Sequence, residues 1–215
     1  MKGIRFGTRH SYNDLQLILN KKEMGSPTVK SKKLDIEGAD SALDMTDFFG
    51  EPKYEDVTHT FDFSTIVPQS EFITHFSKVK NAIHGKKMRI ILDDDPLFFW
   101  YGRCFVSKFT NEKNVGIISV ECECEPYKYK IEHTLVSQVL SGTHTITLTN
   151  ARKRAVPEVQ VFTESGSVNI TYQGNIWDLG SGVYTLPELE LTEGANAVTV
   201  TGTGTISFVW QEGEL

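Results

Sequence analysis

The chain has 215 residues, 39% of them hydrophobic and 23% charged, a globular composition that argues against intrinsic disorder. Its net charge of −6 is unevenly placed: residues 1–130 hold 19 Lys and Arg against 19 Asp and Glu, while residues 131–215 hold 3 against 9. Neither part is basic, which disfavours tight binding to a nucleic-acid backbone, and the break in charge divides the chain into two units.

The N-terminal stretch MKGIRFGTRHSYNDLQLILN lacks the continuous apolar core and small-residue cleavage site of a secretion signal. No segment approaches the apolar length that spans a bilayer, so the chain is expected to fold in a cytoplasm. Cys104, Cys122 and Cys124 make an odd set without a disulfide framework, in keeping with a reducing compartment.

Residues 34 to 63, LDIEGADSALDMTDFFGEPKYEDVTHTFDF, open as an acidic loop and close on an alternating run. In that run Val57, His59, Phe61 and Phe63 share one face of a strand, and Thr58, Thr60 and Asp62 the other. The stretch PQSEFITHFSKVKNAIHGKK carries Phe72, Phe76, Val79 and Ile83 at helical spacing, with Ile73 widening the stripe. Pro68 and Ser70 suit the start of this helix, and Gly85 followed by Lys86 and Lys87 suits its end.

MRIILDDDPLFFWYGRCF then reads as two apolar strands joined by a tight Asp/Pro turn. In ISVECECE, Ile118, Val120, Cys122 and Cys124 face inward, and Ser119, Glu121, Glu123 and Glu125 outward. Beyond the linker YKYKIEHTLV the runs THTITLT, EVQVF, SVNITY, LPELEL, NAVTVTG and TISFVW are short strands between Gly, Asn and Pro turns. That spacing predicts a small β-sandwich. The expected fold class is mainly β with one flanking helix, in two domains, 1–131 and 132–215.

No constellation of residues supplies a nucleophile, a base and an orienting group together, so no enzyme is expected. Cys122 and Cys124 share a strand face, but only Cys104 offers a third ligand, and two small buried side chains are the commoner outcome. Asp93 to Asp95 lack the alternating acids, glycine turn and distal Glu of a calcium loop, and read as a charged hairpin turn. No cofactor or metal is expected.

The histidines at 10, 59, 75, 84, 133 and 144 form no metal or triad motif. His59 reads as a core histidine, and Glu71 with His75 as a local helical pair. TGTGTI and GNIWDLGSG lack the strand–loop–helix context of a phosphate loop and read as turns. Among the sandwich aromatics Tyr172, Tyr184, Trp177 and Trp210, Trp210 alternates with Ile206 and Phe208 and reads as core. Trp177 falls in a Gly/Asn/Asp loop and is the candidate sugar contact.

The stretch from residue 34 resembles the signature of the siphophage distal tail protein (Dit) family. The residues that carry it are Ile36, Gly38, Asp40, Leu43, Asp44, Gly50 and Tyr54, followed by the VTHTFDF strand. The early GIRFGTRHSYNDLQLIL segment, the single helix, the aromatic hairpin and the small terminal domain ending in WQEGEL follow in the same order. Ser41 departs from the glycine expected after the aspartate.

The resemblance implies a structural hub of a phage or prophage tail tip or baseplate. Its N-terminal domain would be a tail-tube-like β-sandwich or split barrel, and its C-terminal domain a galectin-like sandwich where adhesion proteins dock. Six copies would close a ring head to tail. Gly38, Asp40, Leu43, Asp44 and Tyr54 would belong to an arm or belt that meets a neighbouring copy. The implied partners are the tail tube protein, a tail-tip or tail-associated protein, and an adhesion or receptor-binding protein. DNA would only pass through the lumen, and the chain would not insert in a membrane. It would be made in the host bacterial cytoplasm and reside in the virion tail. The alternative is a carbohydrate-binding sandwich that contacts host cell-wall polysaccharide through Trp177.

Overall fold

The structure, a computed structural model, describes residues 2–48, 50–112 and 115–215. Backbone contacts divide the chain into two compact units, residues 1–128 with Leu215, and residues 129–214. Among the described residues the chain is mainly β with one α-helix, as expected.

In the first unit the strands are β1 (Ile4–Phe6), β2 (Arg9–His10), β3 (Leu17–Met24), β4 (Lys33–Leu34), β5 (Leu43–Asp44) and β6 (Val57–Thr65). After the helix α1 (Phe72–Ile83) come β7 (Lys87–Leu92), β8 (Asp95–Glu112) and β9 (Val115–Lys130). The main sheet runs β2-β1-β7-β8-β9-β6-β3, and β4 and β5 pair separately.

Alternation decides the core. Val57, His59, Phe61 and Phe63 of β6 and Ile118, Val120, Cys122 and Cys124 of β9 are all buried, because period-two side chains of a strand share one face. Phe6 meets Phe61 and Phe63 edge to face, with ring centroids 6.3 and 6.1 Å apart.

The helix lies where its apolar stripe predicts, with Phe72, Val79 and Ile83 buried, and Phe76 stacked 5.0 Å from Phe109 of β8. Ile73 does not widen the stripe, being 68% exposed. His75 takes the inward position instead, three residues past Phe72 and four before Val79, and its Nε2 donates to the Leu15 carbonyl at 2.7 Å. The expected Glu71–His75 pair is therefore not formed.

A single 3₁₀ turn, Gln69–Glu71, precedes the helix, and no side chain caps its N-terminus. At the other end Gly85 turns with φ +74°, and Lys86 Nζ donates to the carbonyls of Asn81 and Ala82. The β7–β8 turn is Asp93–Asp94, with Pro96 inside the following strand. Asp93 accepts from Gly3 N at 2.7 Å and contacts His10, Asp94 pairs with Lys22, and Asp95 with Lys128, so the acidic turn is held within its own unit.

The second unit is built on β10 (Thr134–Asn150), β11 (Glu158–Phe162), β12 (Val168–Tyr172), β13 (Asn175–Leu179), β14 (Gly182–Thr185), β15 (Gly194–Trp210) and β16 (Gly213–Glu214). Strands β10 and β15 pair without a register break from Thr134–Trp210 to Asn150–Gly194. The first part of β15 also pairs with β12, through Thr199–Thr201, and its last part with β11, through Thr205–Val209.

Between those parts lie Gly202 (φ +155°) and Gly204 (φ +137°). A Cβ on Gly204 would stand 2.2 Å from the Phe162 carbonyl oxygen, so only glycine fits this bend. The inward faces of both parts join one core containing Leu148, Ile170, Val161, Val200 and Phe208. TGTGTI is thus strand and not turn. LPELEL is the reverse: Leu189 N bonds back to the Leu186 carbonyl, and only Leu191 bridges to Ala155. Pro187 has no N–H for a ladder, yet the turn still buries Leu186, Leu189 and Leu191.

Candidate assembly arm

Between β3 and β6 the chain leaves the main sheet for residues 25–56. The departure is tight, because a Cβ on Gly25 would stand 2.5 Å from the Thr58 carbonyl oxygen. Gly25 N donates to His59 Nδ1 at 3.2 Å. His59 is buried edge to face against Trp100, its Nε2 has no partner among the described residues, and burial depresses its pKa to about 4.

The departing and returning halves then pair with each other. Glu55 N donates to Thr28 O, Lys30 N to Lys53 O and Met45 N to Lys32 O, all at 2.7–2.8 Å. Val29 bridges to Tyr54, Lys33 pairs with Asp44, and Leu34 with Leu43. The segment is thus a narrow antiparallel ribbon with a tip at residues 35–42.

Leu43 and Asp44 form β5. Asp44 Oδ1 accepts from Thr46 N at 2.9 Å, and hydrogen bonds from Thr46 hold its carboxyl below the usual carboxylate range. Gly38 and Asp40 lie at the tip, Gly38 with φ +87°, and Asp40 makes no hydrogen bond among the described residues. Gly50 turns the returning half with φ +93°. Tyr54 sits at the base, its ring edge-on to Tyr127 at 5.9 Å. Asp40, Asp44 and Tyr54 therefore occupy tip, stem and base and do not converge on one point.

The ribbon displays apolar side chains to solvent. Val29, Leu34, Ile36, Leu43 and Phe48 are between 40% and 68% exposed. A two-stranded ribbon whose apolar side chains stay in solvent is marginal alone.

Trp177 is not in a loop. It lies on β13 opposite Ile170 and packs, half-buried, against the second core, which leaves less of its ring for a sugar than a loop tip would. Trp210 and Tyr172 are core, and the Tyr172 hydroxyl donates to Asn196 Oδ1 at 2.9 Å. Cys104, Cys122 and Cys124 are buried free thiols, with Cys122 Sγ 3.3 Å from Cys104 Sγ. That contact and burial raise the Cys122 thiol well above its ordinary range, and burial raises Cys124 to about 12. Such thiols remain protonated and unreactive. Among the described residues no group of three His, Cys, Asp or Glu side chains could hold a metal ion, and no helix is long and apolar enough to cross a membrane.

No family model matches the sequence, and no curated protein matches it. The fold does have a solved counterpart. The chain is similar to the SPP1 Dit (gp 19.1) protein, whose crystal structure is described as a paradigm of the hub adsorption apparatus in phages infecting Gram-positive bacteria. The likeness covers 100% of both chains at a TM-score of 0.72 and 10% sequence identity. At the level of the fold, the resemblance drawn from the signature at residues 34–63 is borne out: this chain has the fold of a distal tail protein.

Proposed function

We propose that this chain is a structural hub protein of a phage or prophage tail, and not an enzyme. Copies close head to tail into a hexameric ring that joins the tail tube to the host-adhesion device. The observation that carries this reading is the end-to-end likeness to a hub adsorption protein, which spans both units and not one common sandwich alone. The exposed apolar ribbon supports it, because a heterologous contact made by an arm closes a ring when each copy reaches the next.

On this reading the first unit makes the ring and meets the tube and the tail-tip protein, and the second presents a docking face for an adhesion protein. Its 9 acidic against 3 basic residues in 131–215 favour a basic partner surface. On the same reading DNA passes through the lumen. The protein is made in the host cytoplasm and ends in the virion tail. Size-exclusion chromatography with light scattering across protein concentration tests this. A species near six times 24.2 kDa is the expected outcome. A monomer at every concentration, with and without a tail-tube protein, would sink the reading.

A further inference from the structure

The zero net charge of residues 1–130 conceals a division. The arm, residues 25–56, contains 8 Asp and Glu and 4 Lys, a net of −4, so the rest of residues 1–130 carries 15 Lys and Arg against 11 Asp and Glu, a net of +4. The arm and the body from which it departs are oppositely charged. At the arm tip Asp35, Glu37 and Asp40 are exposed and have no partner among the described residues.

The body offers a receptor of matching character. A groove of about 720 Å³ lies between α1 and the β1–β2 turn. Its rim carries Arg9, Lys78 and Lys86, all exposed, against a single acid, Asp14, whose carboxylate already accepts from His10 N at 2.6 Å. Arg9 and Lys78 have no ion-pair partner among the described residues. Lys86 is engaged by the carbonyls at the end of α1. Half-buried Met88 and Ala82 supply an apolar floor. Among the described residues no arm residue lines this groove, so a copy does not fill it with its own arm.

Resting on the ring reading above, we propose that the arm tip of one copy, residues 35–42, seats in the α1/β1–β2 groove of the next. Asp35, Glu37 and Asp40 lie opposite Arg9 and Lys78, and Ile36, 49% exposed on the free arm, covers Met88 and Ala82. Opposite charges across such a contact set which surface meets which and exclude the reverse pairing, where like charges would face each other.

The test uses the full chain in four forms: wild type, R9E/K78E, D35K/D40K, and the four substitutions together. All four positions are exposed, so the variants should fold, as circular dichroism would verify. Each charge reversal alone should weaken self-association at least ~10-fold, and the combined form should recover to within roughly 3-fold of wild type. If R9E/K78E assembles as wild type does, the groove assignment is overturned while the ring reading stands. Disruption by both pairs without recovery in the combined form likewise overturns the pairing. If the wild type assembles neither alone nor with a tail-tube protein, the ring reading fails and takes this inference with it. A photo-crosslinking amino acid at position 36 gives a second measurement that does not depend on charge reversal. Links should fall in residues 6–16 or α1 of another copy, and links confined to other segments would contradict the assignment.

Discussion

Two antiparallel ribbons in this molecule are made from the same backbone hydrogen bonds. One, β10–β15, pairs over all 17 residues of each strand and buries Leu148, Val198, Val200, Ile206 and Phe208 on its inner face. The other, in the arm, has Leu34 paired with Leu43 and leaves them 53% and 50% exposed. Backbone pairing exchanges water for protein and nets little, so it is the covered side chains that separate the two ribbons energetically. Leucine opposite leucine in the arm is therefore apolar surface that its own unit does not use.

Substitutions can break that comparison, beginning with the largest effect. Phe208→Ala empties a fully buried ring site and should cost the second unit about 3–5 kcal/mol, whereas Leu43→Ala in the arm should change monomer stability by no more than ~0.5 kcal/mol. Native-state hydrogen exchange, read for each unit separately, would measure both. Equal losses at the two positions would mean that the arm packs on its own body after all.

The bend in the longer ribbon comes next. Gly204→Ala places a methyl group against the Phe162 carbonyl at a backbone angle suited to glycine, and should cost roughly 2–3 kcal/mol. Gly174→Ala, also at positive φ but with nothing within 4 Å, should cost clearly less. A reversed order in a denaturant titration would show that the bend relaxes freely.

His59, at the root of the arm, gives a pH dependence. Its folded pKa of about 4 lies below the ordinary 6.5, so between these values the unfolded chain binds the extra proton. The stabilisation from neutral, buried His59 is complete above pH 6.5 and is lost as pH falls towards 4, by about 2–3 kcal/mol over that window. Stability of the first unit should drop across this range, and His59→Phe should flatten the drop. A wild-type profile already flat there would refute the assignment. The smallest effect belongs to Asp44→Ala, which removes the acceptor for Thr46 N: amide exchange at Thr46 should accelerate while global unfolding stays put.

Much of the fold was readable because alternation and the helical stripe report which face is covered. The exceptions have physical causes. Ile73 is apolar but sits to the side of the Phe72–Val79 line, while His75 lies on it and turns to the Leu15 carbonyl, where the sequence pointed to a pair with Glu71. Glycines at Gly202 and Gly204 signal a sharp backbone change without telling a turn from a bend within a strand. LPELEL alternates like a strand, yet Pro187 and a backbone bond across Leu186–Leu189 make it a turn that buries its leucines. Trp177 was placed in a loop by its Gly and Asn neighbours, although Gln173–Gly174 alone suffice to turn β12 into β13.

The arm was visible as a signature, whereas the groove was not. Its walls come from residues 6–16 and 75–88, and no local pattern ties Arg9 to Lys78. Charge gave a partial view: totals over residues 1–130 cancel, and only subtraction of the arm, residues 25–56, exposes the opposition.

The unbroken β10–β15 ladder also sets how the second unit could be traded. Its first pair, Thr134 opposite Trp210, places the chain's entry and exit side by side, and Leu215 already counts with the first unit. A cassette with closely spaced ends can be lifted from a host chain and another fitted without redrawing the host's path. Recombination between relatives could thus exchange the second unit in one step while leaving the first unit's chain path intact.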